Sequence, residues 1–233
     1  MELTATRLKA LAIIAMTCDH FAYGFLPPDS AANYVLRLIG RLTAPIMAFM
    51  LAEGFRYTHS RKKYLFRLLL FAMIAQPFYY VYFYGIPERT IDFFSKWNVL
   101  FTLAVSLLML MVRDSQKMPG AVKGLLIGVL LLLSGFGDWS VLIPVWVLVF
   151  ASDLDWKRKC ILFCMMSVLL LILVYLPEYD SLLSFAKMFG VLLALVPLSL
   201  YHGKQGAGGW KRFFYWFYPG HIGMMLMLRY MVF

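Results

Sequence analysis

The sequence predicts an all-α, polytopic integral membrane protein of about nine spanning helices, and three observations carry that reading. Of 233 residues, 62% are hydrophobic and only 15% are charged, against about 45–50% and about 25% in soluble domains. The apolar residues fall into long runs, and a helix needs about 20 of them to cross the hydrocarbon layer. The 22 Lys and Arg, which outnumber the 12 Asp and Glu and give a formal charge of +10, gather in alternate connections between those runs. This composition excludes a secreted disulfide scaffold and a disordered tail, and it assigns the positive charge to a membrane surface rather than to nucleic acid.

Walking along the chain, the candidate spans are Leu8–Leu26, Ala31–Ala52, Tyr64–Tyr84, Trp97–Val112, Ala121–Leu133, Trp139–Ala151, Cys160–Leu176, Leu182–Tyr201 and Phe213–Phe233. The first follows Arg7 and Lys9 as a signal peptide would. No small-x-small cleavage site comes after Phe25, so a retained span is expected. The fifth and sixth are short, are joined by Ser134-Gly135-Phe136-Gly137-Asp138, and the sixth contains Pro144. They read as two tilted spans or as one re-entrant hairpin, giving nine spans or seven plus a hairpin. No internal repeat is present, and residues 1–233 read as a single domain.

Basic residues in short loops mark the cytoplasmic side. Arg7 and Lys9, then Arg56, Arg61, Lys62, Lys63 and Arg67, then Arg113, Lys117 and Lys123, then Lys157, Arg158 and Lys159, then Lys204, Lys211 and Arg212 all fall on one side, whereas the other has only Arg89 and Lys96. The expected topology places the N-terminus inside and the C-terminus outside. These clusters first report orientation and attraction to anionic headgroups.

Charges inside the spans stand apart, because each costs about 2.5–3.5 kcal/mol on insertion scales. Asp19 and His20 lie near the outer end of the first span. Arg37 and Arg41 lie near the outer start of the second, only a short link away. The two arginines are four apart and share a helix face, whereas Asp19 and His20 diverge by about 100°. Asp19 is expected to neutralise an arginine while His20 faces a cavity. A buried ion pair that only locks two helices is the competing reading.

Other candidates are weaker. His221 follows Pro219-Gly220 in the last span, where irregular backbone can line a cavity. Glu53 reads as an ion pair with Arg56 at the inner end of the second span. Asn98 and Thr102, four apart, join helices or line a pore, with joining preferred. Cys18 is badly placed to form a dyad with His20, and Cys160 and Cys164 read as packing residues; no metal site is expected. The loop from His202 to Gly209 lacks the order of a phosphate-binding loop and reads as a flexible connection. The aromatic run from Trp210 to Phe217 reads as an interface belt.

Several stretches together resemble the TraX family, named for a membrane protein associated with acetylation of conjugative pilin. They are Lys9 to Asp19-His20, Arg37-Leu38-Ile39-Gly40-Arg41 to Pro45, Glu53-Gly54-Phe55-Arg56-Tyr57-Thr58 to Arg67, Asn98 to Leu103, and Tyr201 to Lys204 with Phe214-Tyr215, Tyr218-Pro219 and His221. The resemblance covers both ends of the chain; the middle matches only in hydropathy, and the family's Asn after the last inner-loop tyrosine is His202 here.

The resemblance implies an acyltransferase of the bacterial inner membrane that takes acetyl from cytoplasmic acetyl-CoA. It implies His20 as the catalytic group, with Arg41, Arg37 and Asp19 beside it and Glu53, Asn98, Thr102 and His221 as cavity positions. Arg56, Arg61, Lys62, Lys63, Lys204, Lys211 and Arg212 would meet the CoA phosphates. The expected partners are acyl-CoA, the lipid bilayer and an acceptor protein, sugar or lipid. A transporter or flippase for an anionic lipid or metabolite, and a non-enzymatic envelope or pilus assembly factor, are the alternatives.

Overall fold

In a computed structural model, described for residues 3–179, 181–206 and 211–232, the chain is helical throughout, and the described residues form no β-strand beyond two isolated bridges. Caps set most boundaries. α1 (Ala5–Phe25) starts at Thr4, whose hydroxyl accepts from the Arg7 N–H, and α2 (Ala31–Gly40) starts at Ser30, which accepts from Asn33. α3 (Thr43–Tyr57) follows after a two-residue break at Arg41-Leu42, so the expected second span is two helices in line. α4 (Arg61–Tyr84) begins behind Ser60 and stops at Gly85, whose φ of 82° suits glycine. A short α5 (Thr90–Ser95) leads into α6 (Val99–Arg113), which Asn98 caps.

The middle of the chain is built of short helices. α7 (Gly120–Ser134) has 15 residues and α8 (Leu142–Phe150) only 9, and α8 therefore rises only about 13 Å. The two are not pressed together. α7 packs on α6, while α8 is enclosed by α3, α6 and α9 (Trp156–Leu170). Trp146 on α8 is fully buried and donates to the Ser167 hydroxyl at 2.9 Å. α9 continues through a π-helical turn, Leu171–Tyr175. The expected span at Leu182–Tyr201 is α10 (Leu182–Ala186), a 3-10 stretch Lys187–Ala194 and α11 (Leu195–Ser199) rather than one α-helix. α12 (Lys211–Val232) runs unbroken through Pro219 and Gly220, so the backbone before His221 is not unwound.

Among the described residues, three stretches are long and apolar enough to cross a membrane: Ala31–Tyr57, Arg61–Tyr84 and Trp156–Tyr175. Shorter apolar helices accompany them. Leu125, Leu132, Phe66, Met73, Met165 and Leu173 are all exposed, an outward apolar surface that water would not tolerate but lipid would.

Contacts between helix ends divide the bundle into two ends. At the basic end, Leu3 and Ala5 donate to the carbonyls of Leu200 and Lys204, Arg61 pairs with Asp114, and Arg56 reaches Ser152. At the opposite end, Asn33 donates to the Ala22 carbonyl at 2.9 Å, Tyr23 to that of Phe83, and Trp97 to that of Phe136. Helices meet most closely here. A Cβ on Gly40 would lie 2.3 Å from the Asp19 Cβ, and one on Gly24 would lie 2.1 Å from the Tyr82 hydroxyl.

Gly40→Ala is expected to destabilise the protein by about 1–3 kcal/mol through overpacking, read as a lower Tm in detergent. Gly124→Ala, where an added Cβ meets nothing within 4 Å, should leave Tm unchanged or raise it slightly.

Candidate functional site

The site is built where α1 and α2 touch. Asp19 sits between two cations: its Oδ2 accepts from Arg37 Nη1 at 2.9 Å, and its Oδ1 is 3.3 Å from Arg41 Nη2. Gly40 permits the approach, since any side chain there would displace Asp19. Arg41 is 8% exposed, its guanidinium lies 5.3 Å from the centre of the Trp139 ring, and its Nε is buried with no hydrogen-bond partner. The expectation that Asp19 neutralises an arginine is met twice over, by both residues of the α2 face.

His20 is turned away from this triad, as the angle between neighbouring helix positions requires. It is buried and lies across from α12, where its Nδ1 is 2.7 Å from His221 Nε2. Phe83 meets the ring edge-on at 5.2 Å, and the Tyr82 hydroxyl donates to the His20 carbonyl at 2.7 Å. That bond needs Gly24 one turn further on, because a Cβ there would collide with the same hydroxyl.

A cavity of about 160 Å³ opens between these groups. Asp19, His20, Arg37 and Arg41 line it from α1 and α2, Tyr79 and Tyr84 from α4, Asp138 and Trp139 from the link before α8, and Tyr218 from α12. Its size suits about five water molecules or a small acyl group, not a nucleotide. All of these residues belong to the end opposite the basic loops.

Asp138 and Trp139 were not among the sequence candidates. The link that carries them is fixed on α6: Trp97 donates to the Phe136 carbonyl and accepts from Asp138 N–H, each at 2.7 Å, and the Thr102 hydroxyl donates to the Asp138 carbonyl at 2.7 Å. Trp139 and Ser140 are held at φ of 59° and 34°, strained values for residues with side chains that persist only where surroundings enforce them. The available signal was a Gly-Phe-Gly-Asp-Trp turn beside a segment too short to span.

The remaining predicted residues do not line the cavity. Asn98 and Thr102 join helices: Asn98 donates to the Ala72 carbonyl at 2.8 Å and to Gln76 at 2.9 Å, and Gln76 in turn donates to the carbonyls of Phe93 and Lys96. Glu53 lies at the basic end, 3.5 Å from Arg56. His221 stands behind His20 rather than on the wall.

Among the described residues, none of the proposed phosphate-binding side chains lines the cavity. Arg56 donates to the carbonyls of Phe150 and Ser152, and with Arg113 on Ala151 and Lys159 on Phe150 it satisfies the C-terminus of α8, where orphan carbonyls and the helix dipole both favour cations. Arg61 pairs with Asp114. Lys62 and Lys63 are exposed at the same end. Lys204 lies in a connection whose carbonyls, with that of Gln205, accept from Ala5 and Thr6 at the start of α1; through residue 206 this loop is tied down rather than flexible. The side chains of Lys211 and Arg212 lie outside the described residues. Among the described residues no group of three His, Cys, Asp or Glu could hold a metal.

The sequence pattern described as TraX protein matches residues 4–229. The chain belongs to the TraX family. It is 39% identical over 233 residues, covering 97% of this chain and 95% of the other, to a probable fimbrial assembly protein, FimC of serogroup H1, from Dichelobacter nodosus. No solved structure matches the chain. The match to the TraX family covers the middle as well as the ends, including the Asp138-Trp139 link.

Removing Asp19 leaves the buried guanidinium of Arg41 and the half-buried one of Arg37 without their counter-charge. Asp19→Ala is expected to destabilise by about 3–5 kcal/mol, measured by thermal or denaturant unfolding in detergent. Adding Arg37→Met to it should recover part of the loss, because one of the stranded charges goes with it.

Proposed function

We propose that this TraX-family chain is a membrane-embedded acyltransferase that moves an acyl group, acetyl in the simplest case, from acyl-CoA to an amine or hydroxyl acceptor. The observation that carries the reading is the pairing, in one small cavity, of a buried histidine with an arginine whose Nε has no partner. A histidine is the usual base near neutral pH. A donor held ready in a dry site favours charge that develops during reaction over charge already present.

The step balances as follows. His20 takes the proton of the acceptor while the acceptor's electron pair attacks the thioester carbonyl. The carbonyl electrons move to oxygen, beside Arg41. Collapse of that oxyanion expels the CoA thiolate, which takes the proton from His20. Arg37 and Asp19 fix the position and charge of Arg41 during these events, so that one guanidinium nitrogen is committed to Asp19 and another remains available.

The gathering of the basic loops at one end of the bundle supports a bacterial inner-membrane protein with that end in the cytoplasm, whether the chain makes nine passes or seven plus a hairpin. Exposed Lys62 and Lys63 then offer the contact for the CoA phosphates, and the cavity takes only the acyl thioester. About 21 Å along α1 separates Ala5 from Asp19, a gap that the extended arm of CoA would have to cross between helices. The name of the relative from Dichelobacter nodosus supports a pilus or fimbrial subunit as the acceptor. The same name also favours a second reading, an assembly factor without catalysis, in which the charged cluster only holds α1 against α2.

Purified protein given radiolabelled acetyl-CoA and a pilin-type acceptor should transfer label. His20→Ala is expected to lower kcat by about 10²–10⁴-fold, and Arg41→Gln by about 10²–10³-fold, with smaller effects on KM. Label transfer that is equally fast in His20→Ala would overturn the mechanism, and no transfer with intact pilus assembly would favour the second reading.

A further inference from the structure

His221 has no part in the steps above, yet it makes the shortest side-chain contact of His20. Its Nε2 lies 2.7 Å from His20 Nδ1, the two ring planes differ by 7°, and both rings are buried. Two neutral imidazoles share such a bond only if one of the facing nitrogens carries a proton and the other does not. The next contact decides which. His221 Nδ1 is 3.0 Å from the Phe217 carbonyl, and a carbonyl oxygen only accepts.

His221 Nδ1 must therefore carry the proton of its ring. Its Nε2 is then a bare acceptor, so His20 Nδ1 must be the donor. The neutral His20 ring has only one N–H, and its Nε2 is left with a free lone pair. The opposite assignment would set the bare Nδ1 of His221 against a carbonyl oxygen, two acceptors at hydrogen-bond distance. We propose that His221 is a positioning residue, which fixes His20 in the Nδ1–H tautomer and presents Nε2 to the cavity as its basic nitrogen.

The sequence builds this arrangement locally. Phe217 and His221 are four apart on α12, so the ring reaches back to the carbonyl one turn before it, and the Phe217 ring stacks on it at 4.9 Å and 10°. On the other side, the edge contact of Phe83 and the Tyr82 bond to the His20 backbone limit rotation of the acceptor's partner. A partner that sets the tautomer of a catalytic histidine has large consequences elsewhere: in the Ser-His-Asp proteases, losing the right tautomer costs about 10⁴ in kcat. When His20 takes a proton on Nε2, the ring becomes an imidazolium that still donates from Nδ1, and His221 Nε2 stabilises it without moving.

The catalytic consequence rests on the acyl-transfer reading; the tautomer does not. Two measurements separate them. The first is ¹⁵N NMR of the full-length protein labelled at its histidines, with the His20 signals assigned by their loss in His20→Ala. A proton on His20 Nδ1 and none on Nε2 supports the proposal, and a proton on Nε2 overturns it, whether or not the protein transfers acyl groups. The second compares two variants in the transfer assay. His221→Leu removes the acceptor and should lower kcat at least about 10²-fold with little change in KM for acyl-CoA. His221→Gln, whose carbonyl oxygen can take the place of Nε2, should recover most of that loss. Equal kcat for the Leu and Gln variants would overturn the positioning role, because a residue that only fills space would not distinguish them. A protein that transfers no acyl group in any form would sink the acyl-transfer reading alone and leave the NMR result to decide the tautomer.

Discussion

The carboxylate of Asp19 is the constraint on which the rest of the site depends. Two guanidinium groups cannot be carried into an apolar bundle without a counter-charge, because each unpaired buried ion costs several kcal/mol. Asp19 supplies that charge to Arg37 and Arg41 together. To do so it must come from α1 at the level of Gly40, which in turn demands that α1 and α2 touch backbone to side chain. The break after α2 follows at once, since Arg41 lies at the end of that helix and α3 starts two residues later. With Asp19 fixed towards α2, the next residue on α1 has only one direction left. His20 must face α4 and α12.

Much of this could be read from the sequence, and the reason is physical. Charges are expensive in spans, so Asp19, Arg37 and Arg41 stand out, and helix periodicity says which of them share a face. The same arithmetic separates Asp19 from His20. The spans read at Tyr64–Tyr84 and Cys160–Leu176 fall on the long apolar stretches Arg61–Tyr84 and Trp156–Tyr175, because length and apolarity suffice to define them. Short apolar segments carry no such information. Nothing in Trp139–Ala151 says how much of it is enclosed by other helices, and only the packing of Trp146 and Phe150 among three neighbours shows α8 to be buried. Asp138, Trp139 and Gln76 were missed for a related reason. Their roles come from contacts across 17 or more positions of chain, and no periodicity records those.

The basic loops illustrate a different failure. Their distribution reports which end of the bundle is which, but it does not say what each cation touches. Arg56, Arg113 and Lys159 converge on the last carbonyls of α8. The last carbonyls of α8, at the basic end of the bundle, have no partners within the helix, and three cations satisfy them. Of the residues expected to meet phosphate, Arg56 is thus engaged by the fold, as Arg61 is by Asp114.

Polar satisfaction elsewhere gives the cavity its meaning. Gln76 with Asn98, Thr102 with Asp138, Trp146 with Ser167 and the end of α8 with its three cations all find partners in the interior. Natural folds leave few buried donors unmade, and those few call for a reason. Arg41 Nε is such a donor, and it is held beside Trp139, whose backbone is strained to stay there. The strained Trp139-Ser140 backbone and the second histidine behind the first lie beside the same cluster. The unmade donor, the strained backbone and the paired histidines are thus concentrated around one small space, the cavity in which the proposed transfer would take place.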